Sequence, residues 1–119
     1  MSQRAIALHQ TGLALARAGR HEEALASYDA ALLLRPDLAA ALSDRGAALF
    51  ALSRHDEAIA SCDRALAIDP RNVAAHYNRG AALLALWRFD EAITAFDAVL
   101  VIAPDLAPAW NNRGSALMQ

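Results

Sequence analysis

Residues 39–72 read AAALSDRGAALFALSRHDEAIASCDRALAIDPRN, and residues 73–106 read VAAHYNRGAALLALWRFDEAITAFDAVLVIAPDL. Laid one over the other without a gap, the two segments share Arg-Gly-Ala-Ala-Leu, Asp-Glu-Ala-Ile and a late proline. The interval extends in both directions. Gly12, Gly46, Gly80 and Gly114 are each 34 residues apart, and so are Pro36, Pro70 and Pro104. Ala24, Ala58 and Ala92 keep the spacing, as do Asp29, Asp63 and Asp97, and Leu15, Leu49, Leu83 and Leu117. Several residue types on one shared period define a repeat array. Its units are 5–38, 39–72 and 73–106, with a partial fourth at 107–119, all in a single domain.

Each unit reads as two helices. The first spans roughly Ile6 to Ala18, with Leu8, Leu15 and the small residues Gly12 and Ala14 at helical spacing. Its turn holds Gly19-Arg20, Ser53-Arg54 or Trp87-Arg88. The second helix opens on an acidic pair, Glu22-Glu23, Asp56-Glu57 or Asp90-Glu91, which suits the positive end of a helix dipole. It closes at Pro36, Pro70 or Pro104, since proline breaks the hydrogen-bond ladder. Asp37, Asn72 and Asp105 are then expected to cap the next first helix, and Pro108 fits a first helical turn. Gly12 and its equivalents are expected to face Ala24 and its equivalents, with Tyr28, Phe96 and Trp110 wedged between hairpins. No hairpin covers its own apolar face, so neighbouring units must supply the cover.

Composition agrees. The chain is 56% hydrophobic but only 6% aromatic, with Ala and Leu dominant, a bias that favours packed helices over strands. A net charge of −2 leaves no electrostatic footprint for nucleic acid. All Lys and Arg positions are Arg, in keeping with a GC-rich coding bias. One cysteine, Cys62, excludes an internal disulfide and points to a reducing compartment. The opening MSQRAIALHQTGLALARAG lacks the apolar stretch and cleavage site of a signal peptide. The apolar runs AALLALW and AVLVIA fall far short of the about 20 residues a membrane helix needs. A cytoplasmic protein without membrane partners is the expectation.

The signature Leu8/Gly12/Leu15, Ala24, Tyr28, Ala31 and Pro36, with its echoes in later units, resembles the tetratricopeptide repeat family, bacterial arrays in particular. Trp110-Asn111-Asn112-Arg113-Gly114 begins a fourth unit in register. The RNA-binding pentatricopeptide repeats have a longer period. The resemblance implies an all-α, right-handed superhelical solenoid of antiparallel helix pairs, with about seven helices here. It also implies that the first helices line a concave wall where a peptide or helix lies.

On this chain that wall carries His9, Gln10, Leu13 and Arg17, with Ile6, from the first unit. The second gives Asp44 and Phe50 with Ser43, Ala47 and Ala51, and the third Tyr77, Asn78 and Leu84 with Ala81 and Ala85. The partial unit adds Asn111, Asn112, Ser115 and Met118. Gln10, Asp44, Asn78 and Asn112 form one column, similar to the asparagine ladder of O-linked N-acetylglucosamine transferases, though only two are asparagine. A side-chain amide both donates and accepts, so such a row can pair with a peptide backbone. The alternative is a row of solvated polar residues. The family's two-carboxylate clamp, which holds chaperone C-termini, needs Lys, Asn, Asn, Lys and Arg at five positions. Here they are His9, Leu13, Asp44, Ala74 and Asn78, so an acidic tail is not expected.

Arg45, Arg79 and Arg113 each follow an aspartate (Asp29, Asp63, Asp97) by 16 residues, where the family usually has Leu. These are expected to be structural pairs between one unit and the next, because a half-buried Arg needs an anion. His21 and His55 share their position with Phe89 and read as aromatic packing rather than metal ligands. Cys62 shares the column of Tyr28 and Phe96 and reads as a buried, inert side chain. Trp87 is either an outer contact point or a cap for a helix end.

No phosphate loop, zinc-spaced Cys/His set or catalytic constellation appears. The expectation is a non-enzymatic protein-interaction module without cofactor or metal. The alternatives are the substrate-recruiting arm of a glycosyltransferase-like enzyme and a self-assembling scaffold. Ala109, Trp110, Gly114 and Leu117 would face a second helix that the sequence does not contain. The expectation is either a piece of a longer array or an end covered by another copy, the latter giving end-to-end self-association through this terminus.

Overall fold

A computed structural model describes residues 2–119. Its helices are α1 (Ser2–Arg17), α2 (His21–Leu34), α3 (Ala39–Ala51), α4 (His55–Ile68), α5 (Val73–Ala85), α6 (Phe89–Ile102) and α7 (Ala107–Leu117). These seven helices, with no strand among the described residues, make an all-α solenoid measuring 45 × 24 × 22 Å. α1, α3 and α5 each pack on the even-numbered helix that follows, and α1, α3, α5 and α7 also touch in succession. That second set of contacts builds a continuous inner wall.

The turns explain how one hairpin is copied three times. Gly19, Ser53 and Trp87 all have positive φ, of 79°, 60° and 62°. The next amide reaches back five residues: Arg20 N–H donates to Leu15 O, Arg54 to Leu49 O and Arg88 to Leu83 O, at 2.8–2.9 Å. This left-handed cap satisfies the orphan carbonyls of the first helix and turns the chain sharply into the second. At the start of the second helix, Arg20, Arg54 and Arg88 make no side-chain cap and instead fork onto Glu23, Glu57 and Glu91.

Three sequence expectations need correction. The first helix begins by Ser2, ahead of Ile6, since Gln3, Arg4 and Ala5 offer no breaker. Only Asn72 caps a following helix, accepting from Ala75 N–H at 3.0 Å. The equivalent positions are Leu38 and Leu106, so Asp37 and Asp105 stand one residue too early to cap. The nearest neighbours of Gly12, Gly46 and Gly80 are the Tyr28, Cys62 and Phe96 side chains of the partner helix, and of the expected alanines only Ala58 comes among them, its O 3.4 Å from a Cβ on Gly46. A Cβ on Gly12 would fall 2.5 Å from the Tyr28 ring, on Gly46 2.6 Å from Cys62 Sγ, and on Gly80 2.8 Å from the Phe96 ring. Tyr28 and Phe96 seat on the glycines of their own hairpins and also cluster with the next first helix, Tyr28 with Ala48 and Phe96 with Ala109 and Ala116. Trp110 is half-exposed, its Nε1–H donating to Pro104 O. Gly114 has nothing within 4 Å of the same point.

Candidate peptide-binding wall

Along the inner wall, residues one repeat plus one apart are hydrogen-bonded across each seam. His9 Nε2 pairs with Asp44 Oδ2 at 2.6 Å, Asn78 Nδ2–H donates to Ser43 O at 3.1 Å, and Asn112 Nδ2–H donates to the Tyr77 hydroxyl at 2.9 Å. Asp44, Asn78 and Asn112 are thus neither free amides nor merely solvated: each is tied to the preceding unit. The tie fixes the planes of the Asn78 and Asn112 amides and leaves each a carbonyl oxygen and one N–H for another partner, while Asp44 offers only acceptor oxygens. Gln10, in the same column, is exposed.

The wall is braced from behind. The Tyr77 ring meets Phe96 edge-on at 5.8 Å and 66°, and His9 lies 5.8 Å from Tyr28. Burial, reinforced by the Asp44 charge, pushes the Tyr28 phenol up to about 12, so it stays protonated behind the wall. Leu13 and Leu84 are half-buried and pack on the core, presenting only their edges. Phe50 is 37% exposed and leans on His55 at 5.3 Å. Arg17 and Asn111 are exposed at opposite ends of the wall. Its ionic groups are few, and Asp44 is already engaged by His9.

Outside the wall, Arg45 Nε–H donates to Asp29 at 2.6 Å, Arg79 to Asp63 at 2.7 Å and Arg113 to Asp97 at 2.5 Å. The arginines are largely covered and the aspartates half-exposed, so these ion pairs stitch each second helix to the next first helix. Sequence reasoning missed the Arg20–Glu23, Arg54–Glu57 and Arg88–Glu91 forks, although an arginine three residues before a glutamate recurs in every unit. The arginines hold the Glu57 and Glu91 carboxyls below the usual carboxylate range. His21 and His55 each bury an Nδ1 without a partner, and the described residues contain no cluster of three metal-ligating side chains. Cys62 is fully buried, which pushes its thiol up to about 12. Trp87 is 80% exposed.

Two sequence profiles, each described as tetratricopeptide repeat, match residues 9–73 and 49–113. The chain belongs to the tetratricopeptide repeat family. Comparison with curated proteins gives no match. Among solved structures, the first TPR of Spaghetti (RPAP3) bound to HSP90 peptide SRMEEVD is 27% identical, with a TM-score of 0.96 over 99% of this chain and 94% of that one. The Arabidopsis OM64 TPR domain is 26% identical, with a TM-score of 0.96 over 98% of this chain and 97% of that one. The first TPR domain of the human RPAP3 protein is 25% identical, with a TM-score of 0.96 over 99% and 93%. Among the described residues, no helix is long and apolar enough to cross a membrane.

Proposed function

We propose that this chain is a protein-interaction module that holds an extended peptide segment against the wall formed by α1, α3, α5 and α7. The carrying observation is the tethered column Asp44, Asn78 and Asn112, whose acceptors are oriented before any ligand arrives. Pre-orientation lowers the ordering cost of binding. An amide carbonyl and its remaining N–H match the donor and acceptor of a peptide bond whatever side chain that residue carries. The structural relative bound to an HSP90 peptide supports a peptide ligand, but its acidic sequence does not transfer. A terminal carboxylate would meet His9, Ala74 and Asn78 where a clamp needs cations, and Leu13 and Asp44 where it needs amides.

The test replaces Asn78 and Asn112 together by Ala in the full chain, with circular dichroism to verify the fold. Peptides selected from an amidated library on the wild type should bind the double variant about tenfold more weakly, two hydrogen bonds being lost. Unchanged affinity in a calorimetric titration sinks the reading.

A second reading rests on α7. Gly114 is bare where Gly12, Gly46 and Gly80 are each covered, and Leu117 beside it is 53% exposed. A second copy laid over this face gives a self-associating scaffold. Sedimentation velocity over a wide concentration range should then show reversible dimers, and a strict monomer argues against them.

A further inference from the structure

Between α5 and α7 the inner wall opens into a hollow of about 520 Å³, within the range of about 300–1,000 Å³ typical of ligand sites. Val73, Ala74, Tyr77, Asn78, Leu106 and Pro108 line it, so no charged side chain faces it. Its walls are fixed. Tyr77 is held by Phe96 behind it and by Asn112 at its hydroxyl. Asn78 is held by the Ser43 carbonyl. Leu106 stands at the α7 N-cap and packs on the core, and Pro108 stiffens the first turn. At the preceding seam, the residues equivalent to Ala74, Tyr77, Asn78 and Pro108 are Ala40, Ser43, Asp44 and Ala74, which are small or acidic.

We infer that this hollow is the specificity subsite of the wall and takes one bulky apolar side chain of an uncharged, extended peptide segment. The inference rests on the peptide-holding reading and adds to it what kind of residue is selected. A carboxylate placed here would lose hydration against Val73, Ala74, Leu106 and Pro108 with no cation among the lining residues. A Lys or Arg would find no anion among them either. An aliphatic or aromatic side chain loses only unfavourable water contact. Asn78, at the edge of the hollow, is placed to take the backbone of the same segment. Ala74 is decisive, because its methyl keeps the hollow open at the position where a carboxylate clamp carries lysine.

The experiment selects a phage library of random peptides, displayed internally so that no free carboxylate is offered, on the full immobilised chain. Enriched clones should share a Leu, Met or Phe flanked by uncharged residues. Synthetic amidated versions should bind the Ala74→Lys variant about tenfold or more weakly, the scale of a lost apolar contact in a pocket. They should bind Leu33→Ser, altered on the exposed side of α2, as tightly as wild type. Enriched peptides with no common apolar residue, or with unchanged affinity for Ala74→Lys, overturn the subsite and leave the wall standing. A library that yields no enriched clone overturns both. Circular dichroism of Ala74→Lys, a substitution at an exposed position, verifies the fold.

Discussion

Four glycines on one register offer a contrast that random substitution does not. Gly12 and Gly114 occupy the same repeat position in the interior of a first helix. Replacing either by Ala removes the backbone-entropy cost of glycine in a helix, a gain of about 1 kcal/mol. At Gly12 the new methyl would sit 2.5 and 2.7 Å from two carbons of the Tyr28 ring. Tyr28 is 1% exposed and cannot swing away. Contacts that close put the overpacking at the upper end of its range, about 3 kcal/mol. Gly12→Ala should therefore destabilise by about 2 kcal/mol, the overpacking less the helical gain. At Gly114 nothing lies within 4 Å, so only the gain remains, reduced to about 0.5–1 kcal/mol because α7 is the terminal helix. Urea unfolding followed by far-ultraviolet circular dichroism reads both. Opposite signs are the prediction. If both substitutions move stability the same way, either Tyr28 does not seat on Gly12 or another element covers Gly114.

Three further outcomes follow from the turns, the core and the seams. Gly19→Ala should cost about 1 kcal/mol through backbone strain alone, while Ser53→Gly should gain about 0.5–1 kcal/mol, both read as shifts in urea midpoint. The Cys62 thiol, raised from an ordinary 9.0 to about 12 by burial, should resist iodoacetamide in the native chain and react promptly in denaturant. Because the unfolded chain releases that proton first, Cys62 should make stability fall as pH rises through 9 towards 12, visible as a declining melting temperature relative to Cys62→Ala. Arg79→Met should cost less than about 1 kcal/mol, and the loss should shrink in high salt, since Asp63 is half-exposed.

The period made the helix pairs and their order readable, because proline, glycine and acidic starts each mark a fixed point in the unit. Contacts between units were harder to read. The cap at Asn72 was recognisable, but Asp37 and Asp105 looked like its counterparts when the register places Leu38 and Leu106 there. The positive φ of Ser53 and Trp87 was available from their alignment with Gly19, had the turn been read as a left-handed cap. The seam bonds join residues 35 apart, one more than the period, because the column of one first helix leans on the neighbouring column of the helix before it. Period alone does not give that lean. The hollow needs α5 and α7 side by side and an aromatic and a proline at one seam only, so composition could not reveal it.

The most direct test of the wall is a nuclear magnetic resonance titration of the labelled full chain with an amidated peptide enriched on it. The side-chain amide signals of Asn78 and Asn112, with backbone signals of α3, α5 and α7 facing the groove, should shift together and saturate at one stoichiometry. Saturating shifts confined to α2, α4 and α6, with both asparagine side chains unmoved, would contradict it.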